Sequence, residues 1–272
     1  MVREKVGSNE WLNCLMITEL KAELLDLAIS IAKEAGELLS ARPDFFDLET
    51  KSSAIDFATQ MDQASEKLIV SKILESRPDD GIIGEEGSNI PSQSGITWVI
   101  DPLDGTVNYF YGIAGWNVSI AVKDSDGVQV GVVYAPSINS IWSATRDGGA
   151  TCNGKKINCN DPVELNRALI GTGFSYDVGD REEQARIVSK LLLEIRDLRR
   201  IGAGAADLCL VAMGRLDAFY EKGLNEWDLA AGGLVATEAG ALVTGRNGGV
   251  PGKEMVIAAG PYLHARLVLE IG

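Results

Sequence analysis

From Gly81 to Thr145 the chain is a series of short apolar runs, each closed by a polar or glycine-rich turn. Gly81-Ile82-Ile83-Gly84 leads into Glu85-Glu86, and Ile96-Thr97-Trp98-Val99-Ile100 leads into Asp101-Pro102-Leu103-Asp104-Gly105-Thr106. Asn117–Lys123, Val128–Tyr134 and Ser140–Thr145 then read as successive antiparallel strands. Helical periodicity flanks this block. Leu20, Leu24, Leu27, Ile31, Ala35 and Leu38 recur at three- and four-residue steps, which predicts a helix capped by Thr18 and stopped by Pro43. A second helix is predicted from Asp62, as N-cap, through Leu68, Ile69 and Ile73 to Arg77-Pro78. Past residue 150 the pattern predicts strand 168–172, helices 181–196 and 205–214, strand 216–220, helix 226–239, strand 255–258 and a helical Pro261–Ile271. Strands and helices mixed in this way bury their apolar faces by stacking in α/β layers. Residues 1–17 lack periodicity and are expected to be a loosely ordered extension. Residues 18–272 are expected to form the folded unit, with only a soft boundary near residue 150.

Charge narrows the partners. With 39 acidic and 25 basic residues the formal net charge is −14, which disfavours non-specific binding to nucleic acid or anionic membrane. An anionic substrate would then need a local attractor, and a bound divalent cation supplies one. The chain has a single histidine, His264, expected on the surface of the C-terminal helix. That count leaves little room for Ser-His-Asp hydrolysis, a histidine nucleophile or a histidine-rich metal centre. Cys14, Cys152, Cys159 and Cys209 form no C-x-x-C pair and are expected to be free thiols in a reducing cytoplasm. No segment reads as a membrane span or a signal peptide, so a cytoplasmic location is expected.

Acids gather where strand-like runs end or helices begin: Glu85-Glu86, Asp101 with Asp104, and Asp228. Such positions are where α/β proteins hold ligands. One acid in a turn is commonplace; three such clusters together point further. Asp101 and Asp104 are expected on a tight turn after a buried strand, where mutual repulsion calls for cations. Oxygen ligands without histidine or thiolate favour hard ions such as magnesium. Gly105-Thr106 follows, and a helix starting there would offer backbone N–H groups to a phosphate. Aspartate-nucleophile phosphatases carry D-x-D-G-T, whereas this chain has D-x-x-D-G-T. The additional residue favours two carboxylates converging on metal, with water as the nucleophile.

Gly84-Glu85-Glu86, Trp98-Val-Ile-Asp101-Pro-Leu-Asp104-Gly-Thr106-Val-Asn108-Tyr109 and Trp227-Asp228-Leu-Ala-Ala-Gly232 resemble the signature segments of the inositol monophosphatase family. The resemblance runs from about residue 18 to the C-terminus and includes Lys51-Ser52-Ser53, Asp62-Gln63 and Gly202–Ala206. It implies a five-layer αβαβα sandwich of the sugar/inositol phosphatase type, usually a homodimer. It also implies a magnesium-dependent, lithium-sensitive phosphoric monoester hydrolase with two or three Mg2+ per site. By position, Glu85, Asp101 and the Leu103 carbonyl would hold one ion, and Asp101, Asp104 and Asp228 a second. Glu85, with waters near Asp62, would hold a third. Thr106, with Asp62 behind it, would orient and activate the attacking water. The Gly105 and Thr106 amides would bind phosphate, and Glu221 with the Gly202-Ala203-Gly204 backbone would meet substrate hydroxyls. Inositol monophosphate is the leading substrate; fructose 1,6-bisphosphate, histidinol phosphate and 3′-phosphonucleotides are the alternatives. A non-catalytic regulatory binding protein is the alternative of another class. Gly87 stands where many members have serine, and Ala203-Gly204 where a small hydroxyl and alanine are more usual. Both departures fall beside the pocket and spare the carboxylates.

Overall fold

A computed structural model describes residues 8–53 and 56–272. The chain opens with α1 (Ser8–Ser40), a hairpin of β1 (Leu48–Ser53) and β2 (Asp56–Thr59), and α2 (Gln60–Ser76). Next come β3 (Gly81–Gly84), β4 (Asn89–Ile90), β5 (Thr97–Asp104), α3 (Thr106–Tyr111), β6 (Asn117–Asp124), β7 (Gly127–Ala135), β8 (Ser140–Thr145), β9 (Gly149–Cys152) and β10 (Lys155–Lys156). The second half contains β11 (Leu169–Thr172), α4 (Val178–Leu191), β12 (Asp197–Arg199), α5 (Gly204–Ala212), β13 (Ala218–Glu221) and α6 (Glu226–Glu238). It ends with β14 (Leu242–Thr244), β15 (Val256–Ala259) and α7 (Pro261–Ile271).

Strand alternation sorts side chains into three cores. In the eight-stranded sheet, ordered β10-β9-β8-β7-β6-β5-β3-β4, the residues Trp98, Ile100, Ile120 and Val122 face α1 and α2. Their neighbours Val99 and Ala121 point the other way, onto α5 and α6. The five-stranded sheet, β12-β11-β13-β15-β14, covers the far side of those helices. Its outer face packs on α4 and α7 through Ile170, Ile257, Leu263 and Leu267. The result is the expected αβαβα order. Close contact in the central layer depends on small residues: a Cβ on Gly131 of β7 would lie 2.7 Å from the Ala231 carbonyl of α6. Larger side chains there would push the helix off the sheet.

Several local expectations change. α1 begins at Ser8 rather than at a Thr18 cap, so residues 8–17, expected to be loosely ordered, continue the helix; residues 1–7 lie outside the described residues. Helix α2 is capped by Thr59, and Asp62 occupies N3 of a capping box instead of being the N-cap itself. α4 spans 178–191 rather than 181–196, because Asp177 caps it early and the chain turns before β12. The soft boundary near residue 150 falls inside β9. His264 is buried, not a surface residue. It lies on the same stripe of α7 as Leu263, Leu267 and Ile271, and Thr244 Oγ1 is 2.9 Å from its Nε2. Burial lowers the pKa of its imidazole. Cys152, Cys159 and Cys209 are free thiols, two of them buried, and Cys14 lies among residues whose side chains are not described. No helix among the described residues is long and apolar enough to cross a membrane.

Candidate active site

A bulge in β5 sets the site. In a regular strand, side chains three apart point to opposite faces. Asp101 pairs with Ser119 and Asp104 with Asn117, so three steps on β5 span two on β6. The added residue returns Asp104 to the side that Asp101 faces. The two acids therefore lie on a bulged strand, where a turn after the strand was expected. β3 runs parallel to β5, and its exit residue Glu85 donates its N–H to the Ile100 carbonyl at 3.1 Å, which sets Glu85 beside Asp101. Glu66 holds the following loop by accepting from the N–H groups of Glu86, at 2.8 Å, and Ser88, at 3.0 Å.

Asp228 arrives from the opposite layer. It is the N3 residue of α6, and its Oδ2 accepts from the Asn225 N–H at 2.6 Å. Asp104 Oδ2 accepts from Asn117 Nδ2 at 2.8 Å and from the Ala205 N–H at 2.9 Å, so the start of α5 is tied to β5. Asp101 Oδ1 accepts from the Leu103 N–H at 3.0 Å. The acids strain against one another electrostatically. Burial, and then the charges of Glu85, Asp104 and Asp228, push the Asp101 carboxyl well up. Burial, Glu85 and Asp104 do the same to Asp228. Burial raises Asp104 to about 6 even though Asn117 and Ala205 donate to it.

Thr106 opens α3 after Gly105, whose φ of 83° suits glycine and whose Cβ would press on the Ala203 side chain. Thr106 Oγ1 lies 2.8 Å from Asp62 Oδ1 and 3.1 Å from the Leu103 carbonyl. A hydroxyl carries one hydrogen, and the nearer carboxylate takes it, which leaves the Thr106 lone pairs facing the cavity. Asp62 Oδ2 accepts from both the N–H and the hydroxyl of Thr59. Burial raises the Asp62 carboxyl, against the hydrogen bonds from Thr59 and Thr106.

These groups meet in a cavity of about 550 Å3. Glu85, Asp101, Leu103, Asp104, Gly105, Thr106, Gly202, Gly204, Glu221 and Asp228 line it, while Asp62 and Ala203 stand behind the wall. Glu221 closes β13, and burial raises its carboxyl to about 8, with Arg200 opposing the shift. A larger cavity of about 890 Å3 lies on another face of α6, lined in part by Val128, Leu229, Leu234 and Val243. It lacks the acid cluster, so size alone misdirects; the convergent carboxylates decide.

Sequence reasoning missed part of the lining. Lys51 entered only as part of a resembling segment, yet its Nζ lies 2.8 Å from Glu85 Oε1 and 2.5 Å from Glu86 Oε1. Burial raises Glu86 to about 7, and the ion pair with Lys51 works against that shift. Arg200, Lys253 and the Phe174–Asp177 loop also line the cavity. No spacing or periodicity marks them in the sequence. Asp207 of α5 is buried, and neither of its oxygens has a hydrogen-bond partner. Burial first, then Glu221 and Asp104, push its carboxyl well up.

The donor set suits a hard divalent cation: buried carboxylates whose repulsion has no sufficient internal answer, with no histidine or thiolate among the lining residues. Among the described residues, however, no three His, Cys, Asp or Glu side chains are already drawn into a coordination shell.

Comparison with known proteins fits this geometry. An inositol-1-monophosphatase of Mycobacterium bovis is 39% identical over 274 residues, covering 92% of this chain and 93% of that protein. A Pasteurella multocida protein named Nus factor SuhB is 39% identical over 232 residues, covering 83% and 86% of the two chains. In structure, the extragenic suppressor protein suhB of Bartonella henselae aligns with a TM-score of 0.87 at 30% identity, covering 92% of this chain and 98% of that one. The description "Inositol monophosphatase family" matches residues 20–271. The chain is an enzyme of the inositol monophosphatase family, a phosphoric monoester hydrolase.

Proposed function

We propose that this enzyme hydrolyses a small polyol phosphate monoester, with inositol monophosphate the leading substrate, by direct attack of water on phosphorus. The observation that carries the reading is the bulge in β5, which brings Asp101 and Asp104 to one side, facing Asp228 and beside the Thr106–Asp62 pair. Glu85, Asp101, the Leu103 carbonyl, Asp104 and Asp228 are the residues that would hold two or three Mg2+. Bound there, the cations would neutralise phosphoryl charge and acidify water.

The chain's own groups account for the rest. Thr106 Oγ1 donates to Asp62 and so accepts a hydrogen bond from the attacking water, orienting its lone pair toward phosphorus. The Asp62 carboxylate behind it, raised by burial, is suited to take up the proton relayed through the hydroxyl. A new oxygen–phosphorus bond forms as the ester bond breaks; the leaving alkoxide takes a proton from solvent, giving the alcohol and inorganic phosphate. The Gly105 and Thr106 amides meet the phosphate. Glu221 and the Gly202–Gly204 backbone accept and donate to the sugar-like hydroxyls. Fructose 1,6-bisphosphate, histidinol phosphate and 3′-phosphonucleotides remain the competing substrates of the same chemistry. We also read the enzyme as a lithium-sensitive, cytoplasmic homodimer.

A second reading adds a regulatory binding role to the phosphatase, favoured by relatives that carry the name Nus factor SuhB. Phosphate release across a panel of monoesters, with and without Mg2+, tests the first reading. Turnover of inositol monophosphate that vanishes with a chelator is the expected result. Absence of turnover on inositol monophosphate, or turnover that survives the chelator, would contradict it.

A further inference from the structure

Lys51 is the one cation that makes an ion pair with the acid cluster among the described residues. It does not come from either large sheet. It sits on β1, in a two-stranded ribbon hydrogen bonded to neither of them. Among the described side chains, polar contacts near the surface hold β1 and the residue before it: Gln63 Nε2 donates to Glu49 Oε2 at 2.6 Å, and the Asp47 N–H donates to Gln60 Oε1 at 3.0 Å. Leu48 is 51% exposed, so the strand is not pinned there by buried apolar surface. The ammonium can therefore withdraw without opening a core.

Its place matters because Glu85 is read above as a cation ligand, and this inference rests on that reading. Glu85 and Glu86 are adjacent acids at the exit of β3, and the Lys51 ammonium bridges them. A divalent cation bound through Glu85 would share a carboxylate whose Oε1 the ammonium already holds. Two cations a few ångströms apart also repel. Lysine suits such a role, because its charge is compact and its stem is flexible enough to swing aside.

We propose that Lys51 is a resident counter-ion for Glu85 and Glu86, displaced when a divalent cation binds, so that the β1–β2 ribbon sets how tightly the site takes its metal. The ammonium keeps the two acids from repelling each other in the metal-free enzyme. It also weakens cation binding by making the cation compete for Glu85.

Calorimetric titration of the full chain with Mg2+, free of substrate, tests this. Lys51→Met is expected to bind Mg2+ about three- to tenfold more tightly, the range for losing a partly buried competing ion pair. Lys51→Arg keeps a cation and is expected to stay near the parent. Lys72→Met removes an equal charge from a surface pair with Glu34 and controls for the general field; its affinity is expected to be unchanged. Amide exchange in residues 48–53 is expected to quicken on adding Mg2+ to the parent, and to be insensitive to Mg2+ in Lys51→Met. Equal or weaker binding by a folded Lys51→Met, or equal tightening by Lys72→Met, overturns the proposal and leaves the metal reading standing. No Mg2+ uptake by any of these proteins overturns both.

Discussion

The two ends of β5 each meet buried carboxylates, and they treat them in opposite ways. Near its start, Asp80 accepts from Arg77 Nε at 2.9 Å, Ser94 Oγ at 2.6 Å and Trp98 Nε1 at 2.9 Å. Burial alone would raise that carboxyl, but the donors outweigh it and hold Asp80 below the usual range. At the far end, Asp101, Asp104 and Asp228 share one small volume with Glu85, and burial with mutual repulsion raises all three. An acid that completes its hydrogen bonds is part of the frame. Acids left short of positive charge mark a candidate ligand site, and that contrast distinguishes framework from candidate chemistry within one strand.

Breaking the site end should cost activity and spare the fold. Asp228→Asn is expected to lower kcat by on the order of 10²–10³, the usual cost of losing one such electrostatic contact. Its melting temperature should hold or rise, since one repelling charge is gone while the amide keeps a side-chain oxygen for the Asn225 N–H. A near-normal kcat in the folded variant would reduce Asp228 to a helix cap. Thr106→Ala should slow turnover by roughly 10²-fold with little change in KM, because the phosphate-facing amides survive. A change confined to KM would contradict a role in activating water.

Breaking the other end should do the reverse. Asp80→Ala leaves the Trp98 N–H and Arg77 without their acceptor, and is expected to cost about 1–3 kcal/mol of stability. The kcat per folded molecule should be unchanged, as read by denaturant unfolding alongside active-site titration. Loss of kcat without loss of stability would collapse the contrast.

The two ends should also respond to pH with opposite sign. Asp80 is depressed in the folded state, so its contribution is present above the unfolded carboxylate range and is lost as pH falls through its folded value. Asp104 at about 6, Glu86 at about 7 and Glu221 at about 8 bind protons more tightly when folded. There the metal-free protein gains stability as pH falls from about 8 toward 5, where the folded state holds more protons than the unfolded chain. Melting temperature across that window, in chelator and then in excess Mg2+, checks this. Mg2+ should flatten the slope; an identical slope in both would mean that no cation answers these charges.

Much of this contrast could be read in the sequence, for local reasons. Short apolar runs ending in acids announced β3, β5 and the layers around them, because strand length and turn chemistry are local properties. The bulge was not legible, since it is defined by pairing with β6 rather than by β5 itself. Lys51 and Asp80 were invisible as partners because their significance lies in contacts across the fold. His264 was misplaced although its spacing from Leu267 and Ile271 already set it on the buried stripe. Asp62 was expected to cap α2, but a capping type alone does not fix its position: the register of α2 puts Thr59 at the cap and Asp62 at N3.

The central claim, that water attacks phosphorus directly and Asp101 is no nucleophile, is most directly tested by phosphorus stereochemistry. A phosphorothioate ester made chiral at phosphorus with oxygen isotopes, hydrolysed in isotopically labelled water, yields a chiral thiophosphate that reports the number of displacements. A single in-line attack predicts inversion, with one solvent oxygen in the released thiophosphate. Retention of configuration, or phosphate trapped on Asp101, would require two displacements through an aspartyl-phosphate and would contradict the account.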